Sequence, residues 1–297
     1  MTVTEANNII RNYERKGVTT EADDFLYTEA LSFVIAETGD PGYMMALGGW
    51  YYEQRKFDLA LKYYDMAAAC DYEPAYGCLG YIWYYGRTGE KDYEKAFRNF
   101  QRSAELGNRE SAYKVADMYK NGYYVEKNVE KYREIIEDLY KKVKNERNLF
   151  APVPQIYMRL ARIRTDEGRA GEAVELYLHA KDFLAQRLAV NSFFGDITNM
   201  LWLTKDLFSL VEFPYENFDF YDMMHLLSRA DKRITFRYEG RTHEVRTAAE
   251  EGAVVLCFDG KWYRKTEDFY GKAAIGDKKL TQIYRYLYDF EVQDVHG

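Results

Sequence analysis

Apolar and small residues recur at helical spacing through most of the chain, and the clearest case lies near residue 80. Residues 75–85 are apolar with several small side chains, and residues 92–105 place apolar or small residues four positions apart. Gly86 and Gly89 separate the two stretches. This pattern predicts two helices joined by a glycine-containing turn.

The same pattern returns 36 residues later without a gap. Val115 follows Leu79 at this distance, and Gly122 follows Gly86. A fixed self-similar spacing of this size is typical of stacked helical units, because each unit is too small to bury its own apolar face. The sequence therefore predicts an array of helical pairs.

Helical periodicity predicts further elements on both sides of this repeat. They cover residues 4–15, 20–37, 46–68, 111–145, 155–181, 196–211 and 219–229. Thr4 at the start of the first stretch and Thr20 at the start of the second are suitable N-caps. The segment 146–154 contains Pro152 and Pro154 and is predicted to break the array, because proline cannot continue a helix interior.

The period changes from 3.6 to 2 near Asp231, which predicts strands. Apolar residues alternate with polar ones over 234–238, and Glu239-Gly240 turns the chain back. A second hairpin is predicted around Asp259-Gly260, followed by a helix over 277–288 and a last strand at 290–292. The sequence thus predicts two domains, a helical array over 1–230 and a small α+β module over 231–297. No Gly or Pro lies between Leu227 and Ile234, so we expect the module to pack on the last helices instead of moving on a linker.

The stretch 75–108 resembles the Sel1-like repeat, a relative of the tetratricopeptide repeat. The residues that carry the resemblance are Ala75, Leu79, Gly80, Gly86, Asp92, Lys95, Ala96, Ala104, Glu105 and Gly107. The chain departs from the family pattern at Thr88 and Gly89, so this loop is expected to differ. The resemblance covers residues 40–181 approximately and does not extend to the C-terminal module. It implies a mainly α fold, an α-α superhelix of the Sel1-like or tetratricopeptide-like solenoid type. The change of period near Asp231 adds the small α+β module after it.

In tetratricopeptide-like arrays one stripe of each first helix lines a concave groove. In the repeat around Leu47, that stripe holds Met45, Gly49 and Tyr52. Across the array, the predicted peptide-binding residues are Tyr52, Tyr81, Tyr84, Tyr113, Lys120 and Arg162. Tyrosine offers a large contact area at low entropic cost, and the two cations can pair with carboxylates of a partner. The function that the resemblance implies is a non-catalytic adaptor that holds a peptide or protein segment; the alternative is that these tyrosines belong to the core.

Charge and hydropathy narrow the classes of partner. The 297 residues contain 41 Lys and Arg against 48 Asp and Glu, a net charge of −7, which argues against nucleic acid as the main ligand. No run of 18 apolar residues and no secretory signal is found, so neither a membrane span nor export is indicated. We therefore expect a cytoplasmic protein that binds neither nucleic acid nor membrane.

Motifs for catalysis or metal binding are missing from the sequence. His179, His225, His243 and His296 stand alone, without the paired spacing of a zinc site, and no phosphate-binding loop or nucleophile elbow occurs. We predict no catalytic, cofactor-binding or metal-binding residue. The competing hypothesis is an enzyme or small-ligand-binding protein whose site lies in the C-terminal module or in the cleft beside it.

Cys70 and Cys78 allow two interpretations. Their spacing of eight resembles that of the cysteine-rich Sel1-repeat proteins of bacteria, where such a pair joins the end of one repeat to the start of the next. The alternative is a pair of packing residues that stay reduced in the cytoplasm. The sequence leaves this choice open, although it places one cysteine near the end of a second helix and the other in the next first helix.

Overall fold

The computed structural model of the protein describes residues 1–191, 193–211 and 219–294. The chain forms two compact units, Met1–Leu139 and Tyr140–Gly297. The domain division at 230/231 rests on the change from helices to strands in the sequence and stays a prediction.

The first unit consists of helical pairs in sequence order. Its helices are α1 (Val3–Glu14), α2 (Glu21–Thr38), α3 (Pro41–Glu53), α4 (Phe57–Ala69), α5 (Glu73–Tyr85), α6 (Tyr93–Glu105), α7 (Arg109–Asn121) and α8 (Val129–Val143), which crosses the division between the units. Helix α1 packs on α2, α3 on α4 and α5 on α6, and each pair contacts the helix that follows it. The predicted array of helical pairs is confirmed.

Caps that the sequence contains fix the ends of these helices. Thr2 and Thr20 each accept a backbone hydrogen bond in a capping box, and Asp92 and Asn108 cap α6 and α7. Each cap satisfies an amide that a helix start would otherwise leave without a partner.

Glycine allows close packing inside two repeats. A Cβ added to Gly48 would lie 2.6 Å from the Tyr64 ring, and one added to Gly80 would lie 2.5 Å from the Phe100 ring. Phe100 is fully buried. The two equivalent glycines therefore let an aromatic side chain of the second helix lie directly on the backbone of the first.

The second unit continues with helices before it turns to strands. They are α9 (Val153–Asp166), α10 (Ala170–Val190), α11 (Phe194–Leu207) and α12 (Met223–Leu226). The predicted break is confirmed, since α9 begins at Val153 with Pro154 in its first turn. The helix predicted over 219–229 is wrong in length, because within residues 219–229 only Met223–Leu226 is α-helical.

The main sheet of the second unit consists of β1 (Lys232–Tyr238), β2 (Arg241–Glu250), β3 (Ala253–Phe258), β4 (Lys261–Tyr263) and β7 (Tyr288–Asp294). Its strands lie in the order β4-β3-β2-β1-β7, and all neighbours are antiparallel. Both predicted hairpins are confirmed. Glu239, Gly240, Asp259 and Gly260 all have positive φ, as a two-residue turn that matches the strand twist requires.

The segment between β4 and β7 differs from its prediction. It contains α13 (Thr266–Lys272), the short pair β5 (Ala274–Ile275) and β6 (Lys278–Lys279), and α14 (Leu280–Ile283) with a 3-10 turn after it. The single helix predicted over 277–288 is wrong, because Gly276 at φ 62° turns the chain into the β5–β6 hairpin. The last strand, predicted at 290–292, is confirmed as part of β7.

The C-terminal segment packs on the preceding helices of its own unit, as predicted. The hydroxyl of Tyr221 lies 3.4 Å from the carbonyl oxygen of Ala185 and 3.3 Å from that of Thr281. Arg285 donates from Nη2 to Oδ1 of Asp182 at 3.0 Å. These bonds join α10 to the region around α14.

Candidate functional site

Helices α3, α5 and α7 are the first helices of consecutive repeats and carry most of the predicted groove residues. Helix α5 has Pro74 in its first turn and ends at Gly86, whose φ of 63° suits a left-handed C-cap. Tyr81, Tyr84 and Tyr85 lie three and four residues apart near this end, so they share one face of the helix. We call the surface formed by Tyr52, Tyr81, Tyr84, Tyr85, Arg87 and Lys114 the tyrosine surface.

The rings of the tyrosine surface are in mutual contact. Tyr81 stacks on Tyr85 with ring centroids 6.0 Å apart, and Tyr84 meets Tyr85 edge to face at 5.1 Å. Tyr81 also lies edge to face on Phe100 of the core at 5.2 Å. Tyr85 remains 45% exposed, so the cluster rests on the core and presents a ring to solvent.

Arg87 follows α5 and lies among aromatic rings. Its guanidinium carbon is 5.1 Å from the Tyr85 ring centroid, 5.9 Å from Tyr52 and 5.8 Å from Phe57. Its Nε donates to the Tyr52 hydroxyl at 3.1 Å. In the described parts of the chain Arg87 forms no ion pair, so its Nη groups are held in place with no carboxylate partner.

Lys114 of α7 supplies a second cation. Its Nζ lies 5.0 Å from the Tyr81 ring centroid, 5.6 Å from Tyr84 and 5.8 Å from Tyr113. Such positions above aromatic faces attract a cation. The aromatic surface thus has positive charge both beside α5 and on α7.

Burial raises the pKa of two phenols of this surface. The pKa of Tyr81 lies far above its usual value, first because of burial and then because of Tyr113 and Glu110. The Tyr81 hydroxyl donates a hydrogen bond to Glu110. Burial, then Tyr123 and Asp117, raises the pKa of Tyr84 to about 12.

The structure brings some of the predicted residues together. Tyr81, Tyr84 and Tyr113 meet around Lys114, and Tyr52 lies against Arg87. Tyr113 is only 5% exposed, so most of its ring contributes to packing.

Two predicted cations have partners within the chain. Lys120 lies with Nζ 5.1 Å from the Tyr132 ring centroid. Arg162 belongs to the second unit, where its Nε donates to Oδ2 of Asp206 at 2.7 Å. Whether Arg162 shares a groove with the other five residues stays a prediction.

Sequence reasoning missed Arg87, Lys114 and Tyr85. Arg87 lies in the loop where the chain departs from the Sel1-like pattern, so the resemblance offered no role for it. Lys114 and Tyr85 each follow a residue predicted for the groove, Tyr113 and Tyr84. Tyr85 lies four residues after Tyr81, so following that helix face by one more turn would have found it. The place of Lys114 depends on the rings of α5, which the sequence does not show.

The second unit contains an open cleft of about 630 Å³ between α10 and the segment after it. Its lining includes Glu175, His179, Lys181, Asp182, Asp219 and Tyr284. Lys181 lies 2.5 Å from Oδ2 of the fully buried Asp222 and 3.2 Å from Oδ2 of Asp219. These two ion pairs join α10 to the segment around α12.

The remaining candidate chemistry is scattered. His225 stacks on Phe208, and burial with Arg229 and Lys205 lowers its pKa, whereas His243 contacts Asp259 at 2.6 Å. His296 lies outside the described residues. Among residues 1–191, 193–211 and 219–294, no three His, Cys, Asp or Glu side chains form a group that could hold a metal ion. In the same ranges, no helix has the length and apolar character needed to cross a bilayer.

Cys70 and Cys78 occupy the predicted elements. Cys70 is the C-cap of α4 and Cys78 lies in α5, and both are free thiols. Burial raises the pKa of Cys78 to about 11, which leaves it protonated at neutral pH. The Cys78 thiol is therefore not activated in the way a reactive cysteine is.

Comparison with known proteins identifies the repeats. The Sel1 repeat family matches residues 41–72, 78–108 and 109–131. A Sel1 repeat protein from Oxalobacter formigenes is similar in structure, with a TM-score of 0.51 and 20% identity over 68% of this chain and 75% of that one. A protective antigen of uropathogenic Escherichia coli strains that displays an SLR fold has a TM-score of 0.49 and 20% identity over 71% of this chain and 50% of its own. No curated protein matches the sequence.

These matches and the packed helical pairs agree with each other. Helices α3, α4, α6 and α7 lie within the matched residues, and so do Gly48 and Gly80, the glycines that permit close packing. Residues 41–72, 78–108 and 109–131 thus match Sel1 repeats in sequence, and the packed helical pairs of this region have the fold of a Sel1 repeat protein.

Proposed function

We propose that the first unit binds an extended peptide segment of a partner protein along the tyrosine surface, without catalysis. The peptide contacts Tyr52, Tyr81, Tyr84 and Tyr85, and a carboxylate of the peptide pairs with Arg87. Tyr113 and Lys120 of α7 extend this surface.

The proposal rests mainly on how the guanidinium group of Arg87 is held. Three aromatic rings and a hydrogen bond to Tyr52 hold its guanidinium, and it forms no ion pair with a described residue. A planar guanidinium held in this way is ready to bind a carboxylate through two parallel hydrogen bonds. Because its position is fixed before binding, little side-chain entropy is lost when the partner arrives.

Charge around Arg87 supports an acidic residue in the peptide. Arg87 lines a cleft of about 460 Å³ together with Arg55 and Lys56, and among the described residues that line it Asp58 supplies the one carboxylate. An acidic group entering this cleft therefore meets an excess of positive charge. The net charge of the whole chain is negative, so this local excess would make the surface selective.

The cleft of the second unit does not support the competing hypothesis equally well. Lys181 is paired with Asp219 and Asp222, and Asp182 with Arg285. Its charged groups thus stabilise contacts between segments of the chain. We therefore favour binding at the tyrosine surface over catalysis or small-ligand binding in this cleft.

A selection of peptides tests the proposal. Twelve-residue peptides are selected from a random library on the full chain, and their dissociation constants are measured by fluorescence anisotropy. We expect the selected peptides to contain Asp or Glu, and Arg87→Gln to weaken their binding about tenfold or more, since a hydrogen bond to a charged group contributes about 1.5–3 kcal/mol.

A matched substitution and a second ring variant complete this test. Arg98→Gln alters an exposed arginine of α6 that already pairs with Glu94, and should leave binding unchanged. Tyr85→Ala should weaken binding by a similar factor to Arg87→Gln without lowering the melting temperature, because Tyr85 is the most exposed ring of the surface. Peptides that bind wild type, Arg87→Gln and Tyr85→Ala equally well would overturn the proposal.

A further inference from the structure

A second cavity of the first unit lies where the α1–α2 hairpin meets α3. It has a volume of about 490 Å³. Met45 and Gly49 line it, and both belong to the stripe of α3 that also carries Tyr52. The cavity therefore continues the surface to which we assign peptide binding. We call it the acidic pocket; its other main lining residues are Tyr13, Glu14, Asp24, Tyr27, Trp50 and Glu53.

The walls of the acidic pocket are aromatic and fixed by hydrogen bonds. Tyr13 and Tyr27 stack with ring centroids 4.0 Å apart and planes 11° apart. The indole Nε1 of Trp50 donates to the Tyr13 hydroxyl at 3.1 Å, and that hydroxyl donates to Oδ1 of Asp24 at 2.6 Å. This chain of bonds orients the rings without any ligand.

The polar groups of the pocket include several without partners. Among the described residues, the carboxylates of Glu14 and Glu53 form no hydrogen bond or ion pair. Tyr27 lines the pocket and is only 6% exposed, and its hydroxyl likewise forms no hydrogen bond with a described residue. This hydroxyl can therefore accept a hydrogen bond from a ligand in the pocket.

The carboxylates of Glu14 and Glu53 create a negative potential at the Tyr27 hydroxyl. Burial, followed by Glu14, Tyr13 and Glu53, raises the pKa of Tyr27 to about 12. The two glutamates are therefore close enough to oppose a further negative charge at the phenol. They would favour a positive one for the same reason.

We infer that the acidic pocket binds the guanidinium or ammonium group of a basic residue in the partner peptide, an inference that rests on the proposed function for the source of that residue. The aromatic faces attract the cation, the carboxylates of Glu14 and Glu53 pair with it, and the Tyr27 hydroxyl accepts one of its N–H groups. The peptide thus carries a basic residue at α3 and an acidic residue at Arg87.

The chain contains a cation that already uses one of these rings. The Nζ of Lys56 lies 5.6 Å from the Trp50 ring centroid. It shows that the ring attracts positive charge, and it competes weakly with an incoming cation. Lys56→Gln should therefore strengthen binding of a cationic probe.

A single-residue probe tests the pocket without the rest of the peptide. N-acetyl-L-arginine amide is titrated into the ¹⁵N-labelled full chain, and the indole N–H resonance of Trp50 is followed. We expect a saturable shift with a dissociation constant on the order of millimolar. The neutral N-acetyl-L-glutamine amide should give no saturable shift.

Substitution of the carboxylates provides the decisive comparison. Glu14→Gln with Glu53→Gln keeps the shape of two exposed side chains, and should weaken binding of the arginine probe at least about fivefold. Glu37→Gln, an exposed position at the end of α2, should change nothing. No saturable shift in wild type, or equal affinity in the double variant, would overturn the inference.

The selected peptides separate this inference from the proposed function. Peptides whose binding depends on Arg87 but not on Glu14 and Glu53 would overturn the basic residue and leave peptide binding intact. Peptides that ignore Arg87 would overturn the proposed function, whereas the arginine probe would still report on the pocket by itself.

Discussion

The tyrosine surface of the first unit and the Lys181 cleft of the second unit each contain a cationic side chain, and the two side chains differ in whether a carboxylate pairs with them. In the cleft, Lys181 is paired with Asp219 and Asp222, so the ions satisfy one another within the chain. On the tyrosine surface, Arg87 rests on aromatic rings and forms no ion pair with a described residue.

This difference distinguishes polar groups that stabilise the fold from polar groups that can bind a partner. A buried ion pair has lost its water and can keep its charges only while both members are present, so the cleft is expected to affect stability. An arginine that packs on aromatic rings still has N–H groups that can donate hydrogen bonds to a partner. Substitutions on the tyrosine surface are therefore expected to affect binding. Three substitutions test which contacts of the two units stabilise the fold. They are described from the largest expected effect on stability to the smallest.

Lys181→Met should destabilise the protein most. It leaves the fully buried Asp222 without its cation, and breaking a buried pair by removing one partner costs about 3–5 kcal/mol. The free energy of unfolding is measured by urea denaturation, with the exposed Lys205→Met as control. A loss no larger than that of the control would mean that the cleft is open to ligands and that the comparison fails.

Gly80→Ala should have the next largest effect. The added Cβ would lie 2.5 Å from the Phe100 ring, and overpacking of this kind costs about 1–3 kcal/mol. Gly77→Ala on the same helix is the matched control, because its Cβ would meet the Ser103 and Ser111 hydroxyls at an ordinary 3.6 Å. Thermal unfolding of the two variants should differ clearly, and equal melting temperatures would contradict the packing described for α5.

Asp23→Asn should have a small effect that depends on pH. Hydrogen bonds from Lys16 and from Thr20 lower the pKa of Asp23 from 3.8 to about 2. Because the folded pKa is the lower one, the carboxylate stabilises the fold above about pH 4, and this contribution disappears as the pH falls towards 2. The difference in unfolding free energy between wild type and variant should therefore be present at pH 5 and vanish near pH 2; a difference that is the same at both values would contradict the assignment.

The repeats could be predicted because their determinants are local. Thr20 and Asp92 cap helices, and Gly86 ends one, through contacts within a few residues. The 36-residue period then indicates how the units stack. The hairpins at Gly240 and Gly260 were predictable for the same reason, since the turn residues determine the backbone angles.

The features that the sequence did not predict depend on contacts between residues that are distant in sequence. Tyr113 lies on a stripe predicted for the groove, yet it is only 5% exposed. Arg87 was missed because its role comes from Tyr52, 35 positions earlier. The segment near Lys278 was predicted as a helix from its apolar spacing, but Gly276 turns it into a hairpin.

The central claim is that the tyrosine surface, and not the cleft of the second unit, is where a partner binds. Hydrogen–deuterium exchange of the full chain, with and without a saturating selected peptide, tests this claim most directly. We predict slower exchange over residues 45–56 and 76–90 and in α7, with no change over residues 175–185 and 219–227. Protection confined to residues 175–185 and 219–227 would contradict the account.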